Sequence, residues 1–130
     1  MPLLKRLLFV DDEPTIRATL PAILRRYGFQ VTVVATVAQA LTEIQNREFD
    51  LLLCDLNVET ENDGFVVVRA MREAYPRSVV VVLTGYPALD SAIEGIRLSV
   101  DGYLVKPSNA DELVALLADK LVARNKTNAV

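Results

Sequence analysis

Four short apolar runs each end at a polar side chain, and this pattern constrains the fold more than anything else in the chain. Leu7-Leu8-Phe9-Val10 ends at Asp11-Asp12, and Leu51-Leu52-Leu53-Cys54 ends at Asp55. The run 79–83 ends at Thr84, and Gly102-Tyr103-Leu104-Val105 ends at Lys106. Unbroken apolar runs are the signature of parallel strands buried on both faces. Helical patterns lie between them, and strand followed by helix recurs five times, which predicts an α/β fold with one doubly wound parallel sheet. Ligands of such open sheets bind in the crevice outside the carboxyl ends of the strands. Three carboxylates, a hydroxyl and an ammonium are therefore expected to converge there.

The connecting segments carry their own punctuation. Pro14 suits a first helical turn, and Ile16, Leu20, Ile23, Leu24 and Tyr27 follow at helical spacing until Gly28 stops the helix, with Pro21 expected to kink it. A strand is expected at 30–34, and Thr36 with Gln39 reads as a capping box for a helix that buries Ala40, Leu41 and Ile44. A polar loop, 57–63, leads through Gly64 into a helix with Val67, Val68 and Met71, which ends before Pro76. A fourth helix is expected at 87–98. Ser108 reads as the cap of a fifth, with Leu113, Leu116, Leu117 and Leu121 turned inward. The expected domain is 1–124, with 125–130 as a short polar tail that frays.

Composition narrows the function classes. At 130 residues, one domain accounts for the chain, and 52% hydrophobic residues suit a doubly covered sheet. No apolar run approaches the length that spans a bilayer, so no membrane partner is expected. The start of the chain stops being apolar after four residues at two acids and lacks a small-residue cleavage site, which reads as a cytoplasmic protein. One Cys and no His exclude a disulfide framework and an ordinary zinc site, and Cys54 reads as a strand residue. A net charge of -3 gives no basic footprint, so direct nucleic-acid binding is not expected.

The clustered acids carry the chemistry. Alone, Asp11 and Asp12 would only cap the helix that opens at Pro14. Together with Asp55 at a neighbouring strand end they repel one another, and a divalent ion relieves that repulsion. Carboxylate, carbonyl and water oxygens select a hard ion, so Mg²⁺ is expected, with Mn²⁺ as the alternative and the Asn57 carbonyl as a further ligand. An acid that closes a buried run is more often chemical than structural, and a carboxylate can attack phosphorus as a nucleophile. Lys106, before Pro107, sits in extended or turning chain from which its ammonium can balance carboxylate and phosphoryl charge. Thr84 offers a hydroxyl where a phosphoryl oxygen would lie, although Thr84-Gly85 also reads as a plain turn. Tyr103 by itself reads as core.

Asp11-Asp12, Asp55, Thr84 and Lys106-Pro107, in that order, resemble the receiver domain of two-component response regulators over nearly the whole chain. The resemblance implies a flavodoxin-like (βα)5 fold with strand order 2-1-3-4-5. It implies that Asp55 is the phosphoacceptor for a phosphohistidine on a sensor histidine kinase or a phosphotransfer protein. Asp12, Asp55 and the Asn57 carbonyl would ligate the metal directly, and Asp11 mainly through water. Thr84 and Lys106 would contact the phosphoryl group, Lys106-Pro107 would be a cis peptide, and Tyr103 would turn inward as Thr84 moves. The output face would be the fourth helix, fifth strand and fifth helix, where Asp90, Arg97, Asp101, Asp119 and Lys120 would pair across a symmetric homodimer or meet a partner. Such a chain is a switch, not a turnover enzyme.

The loop after Asp55 departs from the family pattern, which has a hydrophobic residue and proline. Val58-Glu59 replaces that pair, Gly64 comes one residue late, and Glu59, Glu61 and Asp63 read as added negative charge at the mouth that shapes kinase choice. Tyr86 is bulky where water would approach, and together with Asn57 is expected to modulate loss of the phosphoryl group. A receiver-shaped module that is never phosphorylated is the second reading. An aspartate-nucleophile phosphohydrolase ranks lower, because Asn57 stands where its second, proton-donating acid belongs. A flavodoxin-like cofactor protein ranks lower still, since Asp11-Asp12 would repel the cofactor phosphate.

Overall fold

A computed structural model describes residues 5–106 and 109–128. Five strands, β1 (Lys5–Val10), β2 (Phe29–Val34), β3 (Leu51–Asp55), β4 (Val79–Thr84) and β5 (Gly102–Val105), alternate with five helices. These are α1 (Pro14–Arg26), α2 (Val37–Asn46), α3 (Gly64–Ala74), α4 (Leu89–Arg97) and α5 (Ala110–Asn128). All strand pairs are parallel and the order is β2-β1-β3-β4-β5. The expected fold class and strand order are both present. β3 and β4, inside the sheet, are buried at every position, whereas the edge strands β2 and β5 are buried only in part.

Alternation along each strand divides the core in two. Leu8, Val10, Leu52, Cys54, Val80 and Val82 face α2 and α3, packing with Ile44, Val67, Val68 and Met71. Leu7, Phe9, Leu51, Leu53, Val79 and Val81 face α1 and α5, packing with Leu24, Leu113 and Leu117. α4 lies on the α3 side, where Arg69 pairs with Glu94 at 2.9 Å. It buries only Ser91 and Gly95, a close approach that a side chain at Gly95 would oppose, since its Cβ would lie 3.2 Å from Val100.

Several helix ends follow the sequence signals and others do not. Thr36 Oγ1 accepts from the Gln39 amide as expected, but the Gln39 side chain reaches back to the Ala35 amide, one residue beyond the usual partner. Pro21 lies buried within α1. Tyr27, placed on the periodic stripe of α1, is instead exposed, because the chain has already turned toward Gly28 at φ +95°; its hydroxyl donates to Asp111. The Ser108 cap and the Lys106-Pro107 peptide lie outside the described residues. Asn109 Oδ1 accepts from the Asp111 and Glu112 amides at the start of α5. Residues 125–128, expected to belong to a polar tail, continue α5 as far as Asn128.

Candidate functional site

The strand ends meet where the sequence pattern predicts. Asp11 follows β1 and is fully buried, Asp55 closes β3 at 6% exposure, and Thr84 closes β4 fully buried. Lys106 follows β5, its amide bonded to the Thr84 carbonyl at 2.8 Å, and its ammonium reaches across the sheet end. There Nζ donates to Asp11 Oδ2 at 2.8 Å and to Asp55 Oδ2 at 3.1 Å, with Glu13 Oε2 at 3.9 Å. The remaining carboxylate oxygens are held by backbone amides: Glu13 donates to Asp11 Oδ1 and Asn57 to Asp55 Oδ1. Asp12 is exposed, and among the described residues none donates to its carboxylate. Oxygens of Asp11, Asp12 and Asp55 lie within 4.8 Å of one another.

Three carboxylates face one ammonium, and burial sharpens the imbalance. Burial pushes the Asp55 carboxyl above its usual range, against the opposing pull of the Asn57 amide and Lys106. Burial pulls Lys106 the other way, but hydrogen bonds to Asp11 and Asp55 outweigh it and hold its pKa above the ordinary value. The cluster offers only hard oxygen donors and an excess of negative charge, so its residues fit a Mg²⁺-class ion. Burial also raises the Cys54 thiol far above its normal pKa, which leaves it an inert strand residue next to Asp55.

A cleft of about 450 Å³ opens over this cluster, lined by Asp55, Lys106, Asn57, Gly85 and Tyr86. Thr84 Oγ1 accepts from the Tyr86 amide at 3.1 Å, which leaves its proton free to be donated. Tyr86 stands at the rim, 84% exposed. Tyr103 is not in the cleft. Its half-buried ring packs on the α3 side of the sheet and its hydroxyl lies 2.7 Å from Ser91 Oγ. Ser91 spends its own proton on the Ala88 carbonyl, so Tyr103 is the donor. No feature of the sequence singled out Ser91.

The acidic loop does not simply add surface charge. Asp63 accepts from three backbone amides, those of Val58, Glu59 and Thr60, and Glu59 accepts from the Val37 amide at the start of α2. Of the loop acids, Glu61 is exposed and free of such contacts among the described residues. Asp101, expected on the output face, is likewise committed internally to Arg72, Arg124 and the Val80 amide.

The model of the response regulator receiver domain matches residues 7–118. The chain belongs to that family. Among curated relatives, it is 36% identical over 115 residues to the photosynthetic apparatus regulatory protein RegA of Rhodobacter capsulatus, covering 88% of this chain and 62% of RegA. It is 37% identical over 119 residues to the alginate biosynthesis regulator AlgB of Pseudomonas putida, covering 92% of this chain but 26% of AlgB. The receiver chain thus spans about a quarter of AlgB, and the same share of the regulator ZraR of Escherichia coli. Among solved structures, a CheY-like receiver from Methanospirillum hungatei superposes with a TM-score of 0.89 at 30% identity, over 95% of this chain and 98% of that one. The beryllofluoride-activated NtrC4 receiver dimer gives 0.84 at 27% identity, over 93% and 99%.

Proposed function

We propose that this receiver domain is a phosphorylation switch in which Asp55 accepts a phosphoryl group from a phosphohistidine of a sensor histidine kinase or phosphotransfer protein. The observation that carries this reading is the Lys106 ammonium held between the buried carboxylates of Asp11 and Asp55 at the floor of an open cleft. A carboxylate oxygen of Asp55 attacks phosphorus, the P–N bond breaks, and its electron pair leaves with the imidazole, which takes a proton from solvent. Lys106 is within reach of Asp55 to offset charge on the transferred oxygens, and Thr84 has a hydroxyl proton to donate to one of them. Asp11, Asp12, Asp55 and the Asn57 carbonyl would hold Mg²⁺, or Mn²⁺ in its place. When bound, that ion neutralises charge on the carboxylates and the phosphoryl oxygens.

Asn57 supports a switch over a turnover phosphohydrolase. An amide stands where the proton donor would be required, and its Oδ1 is occupied by the Asn62 amide. Among the described residues no helix is long and apolar enough to cross a membrane, and a cytoplasmic location fits a kinase donor. Intact mass after incubation with Mg²⁺ and acetyl phosphate tests the reading. One phosphoryl group should appear on the wild type and none on Asp55→Asn; failure of the folded wild type to gain it would favour the unphosphorylated binding module. The same preparation reports on Tyr86, whose ring at the rim obstructs water. The phosphorylated mass should decay several-fold faster in Tyr86→Ala, and an unchanged decay would remove Tyr86 from the account.

A further inference from the structure

Asp63 immediately precedes α3, where an aspartate ordinarily caps the helix it introduces. Here its side chain makes no cap bond to α3. The carboxylate turns back instead and collects three consecutive amides of the preceding loop, with Oδ1 on Val58 at 2.7 Å and Oδ2 on Glu59 and Thr60 at 2.9 and 3.1 Å. The first of these contacts bears on the cluster. The Val58 N–H and the Asn57 carbonyl belong to one planar peptide, and in a trans peptide they point in opposite directions. Drawing the N–H onto Asp63 therefore aims the Asn57 carbonyl away from Asp63. The peptide on the other side of Asn57 is pinned as well, because the Asn57 N–H is held by Asp55 Oδ1. Both planes flanking Asn57 are thus fixed, one by the acceptor aspartate and one by Asp63.

We infer that Asp63 is the positioning residue of the divalent-cation site, orienting and polarising the Asn57 carbonyl through the peptide it shares with Val58; this rests on the proposed Mg²⁺ role of the cluster. A charge-assisted bond to the N–H end of a peptide draws negative charge onto its carbonyl oxygen, which makes that oxygen a better ligand for a hard cation. The loop needs such a device because Val58 and Glu59 leave its backbone free, where a proline would fix one dihedral. Asn62 at φ +60° and the Asn62 amide on Asn57 Oδ1 complete the turn that returns Asp63 to these amides.

The test separates this geometry from the mere loss of a negative charge. Mg²⁺ is titrated into the folded wild type, Asp63→Ala, Asp63→Asn and Glu61→Gln, followed by the amide resonances of the loop. Metal ligands deprived of their orienting partner typically lose 10- to 100-fold in affinity, so Asp63→Ala should bind Mg²⁺ at least about tenfold more weakly. Asp63→Asn, which keeps one acceptor oxygen, should fall between it and the wild type. Glu61→Gln removes an equal charge from an exposed, salt-screened side chain and should change affinity by about twofold or less. Without Mg²⁺, the Val58, Glu59 and Thr60 amides should exchange faster in Asp63→Ala and at the wild-type rate in Glu61→Gln. An Asp63→Ala affinity equal to that of Glu61→Gln overturns the inference, and if that variant does not fold, Asp63→Asn against Glu61→Gln decides in the same way. A wild type that shows no Mg²⁺ saturation overturns the cation site itself and this inference with it.

Discussion

Asp55 carries its carboxylate in a place that disfavours charge. Burial raises its pKa, while the Asn57 amide and Lys106 recover only part of the lost hydration. A group whose pKa is raised on folding stabilises the folded state below its unfolded value, about 4 for Asp, and that contribution is lost as pH rises through the folded value. In metal-free buffer, Asp55→Asn should therefore be the more stable protein at pH 7, by roughly 1 kcal/mol, a typical single-substitution effect. Lys106 is not orphaned in that variant, because Asp11 still accepts from it at 2.8 Å. The difference should shrink as pH falls toward 4. Urea denaturation of both proteins across that range checks it, and a wild type more stable at pH 7 would show that the Lys106 pair outweighs the burial cost.

At the scale of elements, the site depends on how closely α3 abuts the end of β3. Gly64 opens α3, and a Cβ there would stand 2.2 Å from the Asp55 carbonyl oxygen and 2.9 Å from the Leu56 backbone. Alanine would gain up to about 1 kcal/mol in helix propensity, but backbone atoms cannot yield as a side-chain tip can, and overpacking costs about 1–3 kcal/mol or more. Gly64→Ala should lower the urea midpoint clearly, whereas Gly85→Ala, with nothing within 4 Å of its Cβ, should leave it nearly unchanged. Equal midpoints for the two variants would mean that the β3–α3 junction is softer than its contacts imply. The elements differ in how readily the sequence discloses them. β3 and β4 are plain in the sequence because strands covered on both faces are apolar throughout, and their closing residues mark the cluster. On sequence alone Asp63 and Glu59 show only as acidic charge near the mouth and Asp101 as a charge of the output face, since composition gives no sign that a carboxylate will find backbone amides or an arginine pair in three dimensions.

At the scale of the whole molecule, an apolar strip on α4 stands uncovered among the described residues. Leu89, Ile93 and Ile96 recur at spacings of four and three along α4, which puts them on one stripe, and Leu89 and Ile96 are each 76% exposed. Val105, half exposed, lies on the same side of edge strand β5 as Tyr103 by strand alternation. This is the face expected to form a homodimer: Asp101 is taken up internally, whereas Asp90, Arg97 and Asp119 stay exposed, so the apolar strip would lie among charges still able to pair across a two-fold axis. Under the proposed switch Tyr103 would tie this face to the site, because its hydroxyl donates to Ser91 in the first turn of α4. A move of Thr84 toward a phosphoryl group that drew Tyr103 inward would break that bond and free α4 to adjust. If this face forms the expected homodimer, its partner is a second copy of the chain. Light scattering should then show monomer passing to dimer when Mg²⁺ and beryllofluoride are added. Ile96→Asp should stay monomeric under the same conditions, since a charge there must be desolvated twice in a two-fold interface. Dimerisation of Ile96→Asp at the wild-type concentration would place the contact on another face and leave the α4 strip to a different partner.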